Sequence, residues 1–170
     1  MPIDAIQLRL ARAHDAPPIA RMSRDLIETG MAWSYDVPRI SRLLREAETS
    51  APVAVDAHTL AGFAVMRFGD ESAHLVLLAV DPRYQRRGVA RRLLAWLLES
   101  ALTAGIAELR LELRAGNAGA RAFYLASGFD DDGLVSGYYP NGEAALRMRR
   151  VLRPADQAGS TWNAPTGRRR

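Results

Sequence analysis

The sequence predicts a mixed α/β fold, in which a mostly antiparallel central sheet contains one parallel β-α-β crossover and is flanked by about four helices. The segment 73–80 is apolar throughout, as expected for a central strand that is covered on both faces. A helix with leucines at helical spacing follows it, and the segment 108–114 then alternates apolar and polar residues. Because a strand-helix-strand connection places its two strands parallel, these two segments are predicted to form the parallel pair.

The first half of the chain predicts one strand, two helices and two further strands. Residues 6–10 alternate as a half-buried strand does. Asp15 stands before two prolines, which the first turn of a helix tolerates, and this helix is predicted to end at Gly30. A second helix begins near Pro38. Two short apolar runs bounded by turn residues are then predicted as strands, 52–56 and 60–68.

The second half predicts two more helices and two final strands. The helix 90–103 has leucines on one face and is closed by Gly105. Asn117 is predicted to cap the last helix, which ends at Gly128. Two strands joined by a turn are predicted to complete the sheet, 129–138 and 143–152.

One domain over residues 1–152 and a tail over residues 153–170 are predicted from the distribution of apolar residues. The chain has 170 residues, of which 48% are apolar and 25% charged, and these values are ordinary for a globular protein. The tail is rich in Pro, Gly, Ser and Thr and ends in three arginines. Because it has almost nothing to bury, it is predicted to be disordered.

The composition excludes several classes of function. The absence of cysteine excludes disulfides, thiolate metal sites and cysteine nucleophiles. No apolar run is long enough to span a bilayer and no secretion signal is visible, so a cytoplasmic protein without a membrane partner is expected. All 23 basic residues are arginine and the net charge is +4. Nucleic acid is nevertheless not expected as the main partner, since no RNA-binding aromatic motif or basic helix stripe accompanies this charge.

The segment 85–90, Gln-Arg-Arg-Gly-Val-Ala, is predicted to be an anion-binding loop between the strand 73–80 and the helix that follows. The first amides of a helix have no intrahelical partner and lie at the positive end of its dipole, which favours a bound pyrophosphate. Arg86, Arg87 and Arg91 add positive charge around it. The spacing differs from that of nucleotide-hydrolysing loops and dinucleotide folds. A phosphate-bearing cofactor held mainly by backbone is therefore expected.

Glu112 and Tyr124 are the candidates for acid–base chemistry, and each has two interpretations. In the strand 108–114, the leucines share one face, and Glu112 shares the other with Arg110 and Arg114. That face is either a solvated surface whose charges pair across strands, or it presents Glu112 to a cleft as a general base, tuned towards the working pH. The Tyr124 ring either packs in the core, or its phenol donates a proton to a leaving group.

Other residues carry weaker signals. Tyr138, Tyr139 and Pro140 form either a rigid packing turn or the wall of a substrate pocket. No metal is expected, since no spacing typical of a metal site occurs among the three histidines, which are interpreted as incidental: His14, His58 and His74.

Four motifs occur in order between Leu78 and Arg150: A-V-D-P-x-Y-Q-R-x-G, L-E-x-R-A-x-N, F-Y-x-x-x-G-F and Y-Y-P. The anion loop, residues 85–90, begins inside the first motif. It is similar to the signature Q/R-x-x-G-x-G/A, with Ala90 at the last position. Together the motifs resemble the GNAT acetyltransferase superfamily, and more closely the bacterial ribosomal-protein-alanine N-acetyltransferases. The resemblance covers somewhat under half of the chain.

This resemblance implies the fold of that superfamily, acetyl-CoA as co-substrate, and direct transfer of its acetyl group to a primary amine. Glu112 matches the position of the proton acceptor, directly or through water, and Tyr124 that of the proton donor to the departing thiolate. Three residues would pair with the pantetheine arm and stabilise the thioester oxyanion through the backbone: Leu78, Ala79 and Val80. The remaining implied cofactor contacts are those of the anion loop and the last helix cap: Arg86, Arg87, Gly88, Val89, Ala90, Arg91 and Asn117.

The acceptor side is shaped in this superfamily by the first part of the chain, and residues 1–60 do not align with the ribosomal-protein enzymes. A protein N-terminal α-amine is the preferred acceptor. The alternative is a small-molecule amine, an antibiotic or a polyamine, in a closed cationic-amine pocket of four aromatic residues: Trp33, Tyr35, Tyr138 and Tyr139. A third hypothesis is a non-catalytic module that binds acyl-CoA or RNA. The protein is expected to be a monomer or a homodimer.

Overall fold

A computed structural model describes residues 5–153, in which eight strands form one mixed sheet. The strands are β1 Ile6–Leu10, β2 Thr49–Ser50, β3 Pro52–Asp56, β4 Thr59–Phe68, β5 Ser72–Val80, β6 Glu108–Arg114, β7 Asp130–Val135 and β8 Ala145–Val151. Their order is β1-β3-β4-β5-β6-β8-β7, and β2 pairs with β4. All paired strands are antiparallel except β5 and β6. The predicted fold class is confirmed, including its one parallel pair.

Four α-helices flank the sheet: α1 Ala16–Met22, α2 Val37–Leu43, α3 Val89–Thr103 and α4 Ala118–Ala126. α1 continues as a π-helical turn over Ser23–Ile27. Asp36 caps α2 by accepting from the amide of Arg39 (3.0 Å), and Asn117 caps α4 by accepting from the amide of Ala120 (3.1 Å). The cap predicted at Asn117 is therefore confirmed.

Two apolar cores lie on opposite faces of the sheet. One packs α3 and α4 against strand residues that include Leu75 and Leu111. The other packs α1 and α2 against strand residues that include Leu77 and Ala79. β5 contributes to both cores, as the uniformly apolar segment 73–80 predicts for a strand covered on both faces.

A β-bulge interrupts β5 at the centre of the sheet. Val65 of β4 pairs with Leu77, and the next residue, Met66, pairs with Leu75, so that Val76 is an extra residue. The alternation of faces is broken there. This is why Leu75 faces one core and Leu77 the other.

The parallel pairing of β5 and β6 stops at the same point. It ends where Leu75 lies opposite Leu111, although β5 continues to Val80 and β6 to Arg114. Beyond this point each strand leaves a backbone edge without a strand partner, and a gap opens in the sheet.

The structure differs from the sequence prediction in few places. β2 is not predicted, because its two residues are too short to show an alternation. The last two strands are shorter than predicted, since β7 ends at Val135 and β8 begins at Ala145. The predicted disordered tail lies, from residue 154 onward, outside the described residues. No helix within residues 5–153 has the length and apolar character that crossing a membrane requires.

Candidate active site

A cleft of about 710 Å³ occupies the gap between β5 and β6. Its walls come from both of these strands, the segment 84–91 at the start of α3, α4, and the π-helical turn with the loop that follows it. This volume lies in the range of about 300–1,000 Å³ that is usual for small-molecule and cofactor sites. The divergence of the two strands therefore builds a ligand-sized site at the centre of the sheet.

The first turn of α3 faces this cleft with free amides. Gly88 is the N-cap in a left-handed conformation (φ +78°), and no side chain within residues 5–153 caps the helix. The amide of Arg92 donates to the carbonyl of Gly88 (3.0 Å), so the amides of Val89, Ala90 and Arg91 have no intrahelical acceptor. A Cβ atom at Gly88 would meet no protein atom within 4 Å. The turn thus offers both donors and space to an anion.

The loop before α3 is held in place from both sides. The Gln85 side chain donates to the Val80 carbonyl at the end of β5 (2.9 Å), and the Tyr84 hydroxyl donates to Asp56 (3.0 Å). Arg86 adopts a left-handed φ of 63°, which costs a residue with a side chain roughly 1–2 kcal/mol. The loop is therefore pre-organised by its surroundings.

Most of the predicted cofactor-binding residues line the cleft: Leu78, Ala79, Val80, Arg86, Gly88, Val89, Ala90, Arg91 and Asn117. Arg87 does not line it, and its guanidinium lies 6.0 Å from the centre of the Tyr84 ring. Since β5 has no partner strand on the β6 side beyond Leu75, the backbone edge of residues 76–79 is available to a ligand.

Glu112 lies on the β6 wall of the cleft and makes two side-chain contacts. Its Oε2 atom shares a hydrogen bond with Nε2 of His74 on β5, in a direction set by the imidazole tautomer, and its Oε1 atom lies 3.9 Å from Nε of Arg147 on β8. The leucines of β6 are buried on the opposite face, as the alternation predicts. Both interpretations of this strand face therefore hold in part, because its charges pair across strands and Glu112 also lines the cleft.

These contacts lower the pKa of the Glu112 carboxyl below its ordinary value. The hydrogen bond with His74 is the largest cause, burial opposes it, and the positive charges of Arg147 and Arg110 add to it. The prediction that the surroundings tune this group up towards the working pH is wrong, because the contacts with positive and hydrogen-bonding groups outweigh burial. Glu112 is therefore a carboxylate throughout the neutral range.

Tyr124 is buried in α4 and still lines the cleft. Its ring packs edge to face on Phe123 and Phe129, with centroid distances of 5.1 and 5.5 Å. Burial raises the pKa of its hydroxyl, so the group stays protonated at neutral pH and presents an O–H. Core packing and a donor role are thus compatible at this residue.

The four predicted acceptor-side aromatics do not come together in the cleft. Tyr139 lines it, and burial raises the pKa of its hydroxyl to about 12. Tyr138 packs edge to face on Tyr139 (5.0 Å) and is exposed. Trp33 and Tyr35 lie outside the lining and are each covered by a guanidinium, at 5.3 and 4.0 Å respectively: Arg24 and Arg39. The predicted closed pocket of four rings is therefore not formed.

The α1–α2 loop, residues 28–36, forms part of the cleft rim and is organised by buried Glu28. The Glu28 carboxylate accepts from the amides of Ser34 (2.6 Å) and Tyr35 (3.1 Å), and from the hydroxyl of Ser23 (3.1 Å). Helical spacing predicts that Leu26 and Ile27, just before this loop, face inward, but it does not show that they reach the cleft together with Met31 of the loop.

Arg114 connects the α1–α2 loop to the loop between β7 and β8. Its Nη2 atom donates to the carbonyl of Thr29, and its Nε atom lies 3.5 Å from Oε2 of Glu143, close enough for charge attraction but without the alignment of a hydrogen bond. Neither this connection nor the contact of His74 with Glu112 is evident from the sequence. Both depend on tertiary contacts and strand register, which the alternation within one strand does not specify.

Comparison with known proteins places these features in a family. Residues 19–129 match the family described as Acetyltransferase (GNAT) family, a match that covers more than half of the chain and includes both diverging strands, α3 and Tyr124. The chain is also 40% identical over 84 residues to ribosomal protein bS18-alanine N-acetyltransferase of Salmonella typhimurium, which is 49% of this chain and 57% of that protein. The chain spans about half the length of the curated relatives that it matches.

Two solved structures resemble the whole domain. Ard1 from Thermoplasma volcanium has a TM-score of 0.79 and 26% sequence identity, covering 88% of this chain and 99% of that one. The ribosomal-protein-S18-alanine N-acetyltransferase from Escherichia coli has a TM-score of 0.76 and 28% identity, covering 88% and 96%. From the family match over residues 19–129, the chain belongs to the GNAT acetyltransferase family.

Proposed function

We propose that this chain is an acetyl-CoA-dependent N-acetyltransferase that moves the acetyl group directly to a primary amine, with a protein N-terminal α-amine as its preferred acceptor. The observation that carries this proposal is one cleft whose walls include both the free amides of α3 and the Glu112 carboxylate. Family membership supports acetyl transfer. The names of the relatives support the α-amine, and a ribosomal-protein acceptor would mean that the enzyme works in the cytoplasm.

The residues at the start of α3 and along β5 fit the chemistry of a CoA thioester. The amides of Val89, Ala90 and Arg91 would donate to the pyrophosphate, and the nearby guanidinium groups add positive charge. The free backbone edge of residues 76–79 matches the amide groups of a pantetheine arm. The thioester supplies the acetyl group and a thiolate as leaving group.

Glu112 is proposed to accept the proton of the attacking amine, directly or through a water. An amine attacks only when neutral, and an α-amine with a pKa of about 8 needs less help than a lysine with a pKa of about 10.4. A carboxylate of lowered pKa is a weak base towards a free ammonium group. Once the C–N bond forms, however, the nitrogen becomes strongly acidic, so even this carboxylate takes the proton.

The backbone of β5 and the hydroxyl of Tyr124 would complete the transfer. A backbone N–H among Leu78, Ala79 and Val80 is proposed to stabilise the thioester oxyanion. Tyr124 remains protonated because burial raises the pKa of its hydroxyl, and it would donate this hydrogen to the departing sulfur. The free thiol has a pKa of about 8–9, so the thiolate gains from such a donor.

The acceptor side favours an apolar N-terminal residue over a cationic small molecule. Its lining is largely apolar: Leu26, Ile27, Met31 and Tyr139. The small-molecule alternative loses its main structural support, because Trp33 and Tyr35 lie outside the cleft and already contact arginines. The third hypothesis, a non-catalytic acyl-CoA- or RNA-binding module, accounts for the ion pairing of Glu112 but not for its place in the cleft lining.

A CoA-release assay against a matched panel of amines tests the proposal. The panel contains one peptide sequence with different N-terminal residues, the same peptide with a blocked N-terminus, lysine peptides, polyamines and aminoglycosides. CoA release with free N-termini but not with the blocked peptide supports an α-amine acceptor. Release with polyamines or aminoglycosides alone would establish the small-molecule alternative. Acetyl-CoA binding without release against any amine would contradict the enzymatic proposal.

A further inference from the structure

His74 and Glu112 form a side-chain pair across the two central strands. In the parallel register His74 of β5 lies opposite Arg110 of β6, and Glu112 is the next β6 residue on the same face. Nε2 of His74 hydrogen-bonds Oε2 of Glu112. The pair therefore bridges β5 and β6 immediately before the gap between them opens at Leu75.

The two members of this pair line different cavities. Glu112 lines the cleft, and its side chain is 19% exposed. The His74 side chain is 45% exposed and lines a separate hollow of about 370 Å³ with five other residues: Glu48, Arg67, Phe68, Gly69 and Ser72. The hydrogen bond between the two side chains is thus a connection from the cleft to a surface open to solvent.

The proposed reaction produces a proton that has to leave the cleft. When an ammonium group is acetylated, the C–N bond forms and the thioester C–S bond breaks. One ammonium proton is lost before the attack and one stays on the amide. Glu112 takes the third while Tyr124 gives its own hydrogen to the sulfur, so in each turnover Glu112 has to lose a proton and Tyr124 has to regain one. The contact with His74 lowers the pKa of Glu112, so this carboxyl passes a proton on readily and needs a group to receive it.

We propose that His74 is a positioning residue with a relay role: in the tautomer that carries its hydrogen on Nδ1, it receives a proton from Glu112 at Nε2, releases the Nδ1 proton to solvent through the adjoining hollow, and returns to the first tautomer by proton exchange with solvent. This inference rests on the proposed function. Imidazole suits the step because its two nitrogens gain and lose protons near neutral pH. His74 does not line the cleft, so it acts through Glu112 and not on the substrate.

Charged groups from several strands surround the pair. Three arginines lie beside it: Arg67 of β4 and Arg110 of β6, which are in register with His74, and Arg147 of β8, which lies near Glu112. Glu48 lines the same hollow as His74, where its carboxylate would attract the departing proton. Tyr138, from the loop between β7 and β8, lies close enough to Glu112 to respond to its charge.

The test compares His74→Gln and His74→Ala with His58→Gln, a control at an exposed histidine in the turn between β3 and β4. A glutamine amide can donate a hydrogen bond to Glu112 but cannot carry a proton. In a CoA-release assay, kcat of His74→Gln is expected to fall about tenfold while KM for acetyl-CoA stays unchanged. The pH profile of kcat should differ between His74→Gln and the wild type, and added imidazole should restore kcat of His74→Ala.

Two results would overturn the relay. One is wild-type kcat and an unchanged pH profile in His74→Gln. The other is a loss of kcat in a folded His74→Ala variant that imidazole does not restore. If His74→Ala has a lower unfolding temperature than the wild type, kcat and the pH profile of His74→Gln decide whether His74 acts as a relay. Failure of the proposed function is distinguishable, because the wild-type protein itself would then release no CoA with any amine.

Discussion

The two sides of the cleft use different parts of the chain. The donor side, formed by the start of α3 and the free edge of β5, offers backbone amides and a left-handed Gly88. The acceptor side, formed by the α1–α2 loop and the loop between β7 and β8, offers side chains held together by Glu28 and Arg114. A ligand that is bound by backbone groups tolerates changes of the surrounding side chains. A ligand that is bound by side chains is affected by each such change. This explains why the donor side has a readable motif and residues 1–60 do not.

The largest effect is expected where the two sides meet. Glu112→Gln should lower kcat by about 10²–10³-fold with little change in acetyl-CoA affinity, because it removes the proposed proton acceptor and leaves the proposed acetyl-CoA contacts in place. Since the pKa of Glu112 is lowered, the carboxylate is present throughout pH 6–9, and the loss should be the same across this range.

The matched control is Glu108→Gln, on the same strand and face but outside the cleft lining, where it pairs with Arg110. This variant should keep wild-type kcat. Equal losses in both glutamine variants, measured as initial rates of CoA release, would mean that the charge of the strand face matters and not the position of Glu112.

A smaller effect on kcat is expected at the leaving group. Tyr124→Phe keeps the ring and its packing on Phe123 and Phe129 but removes the hydroxyl. We expect kcat to fall about tenfold to a hundredfold, with the acetyl-CoA dissociation constant unchanged. Calorimetric titration with CoA measures the second quantity. Weaker CoA binding at wild-type kcat would assign the hydroxyl to donor binding and not to turnover.

The donor side alone should respond to a change at the helix cap. Gly88→Ala forces a Cβ into a left-handed position beside the free amides, and we expect KM for acetyl-CoA to rise about tenfold at nearly constant kcat. Gly105→Ala is the control, because Gly105 has almost the same φ, +77°, at the other end of α3. Both variants should lose stability, but an equal rise of KM in both would contradict anion binding at the start of α3.

The acceptor side alone should respond to Arg114, and with the smallest effect. Arg114→Gln removes the connection to Thr29 and Glu143, so the two loops separate more easily, and we expect KM for the acceptor peptide to rise about threefold to tenfold. Arg121→Gln, which breaks the exposed ion pair with Asp131, is the control. A changed KM for acetyl-CoA in Arg114→Gln would show that the two sides are not separate.

The sequence predicts the helices and strands of this fold well, but it does not predict which residues of neighbouring strands lie opposite each other. The segment 108–114 is confirmed as β6 at both ends, since its strict alternation and flanking turn residues depend only on local sequence. The contact of His74 with Glu112 depends instead on the register of β5 against β6, and the gap beside it depends on the bulge at Val76. No local sequence pattern specifies the contact or the gap. For this reason His74 is interpreted from the sequence as incidental.

Glu28 illustrates the same limit on the acceptor side. In the sequence it is one more polar residue at the end of a helix, and its burial results from the α1–α2 loop closing over it to use its oxygens. The anion loop is different, because the start of a helix creates its free amides locally. Donor chemistry is therefore predictable from sequence, whereas acceptor geometry requires the folded chain.

The bulge at Val76 also affects how the domain unfolds. Because β5 places Leu75 in one core and Leu77 in the other, a single strand supports the packing of all four α-helices. Loss of β5 would therefore remove strand residues from both cores at once. The domain should accordingly lose both cores in one cooperative transition, and a substitution that loosens α3 should weaken the packing of α1 and α2 on the opposite face as well.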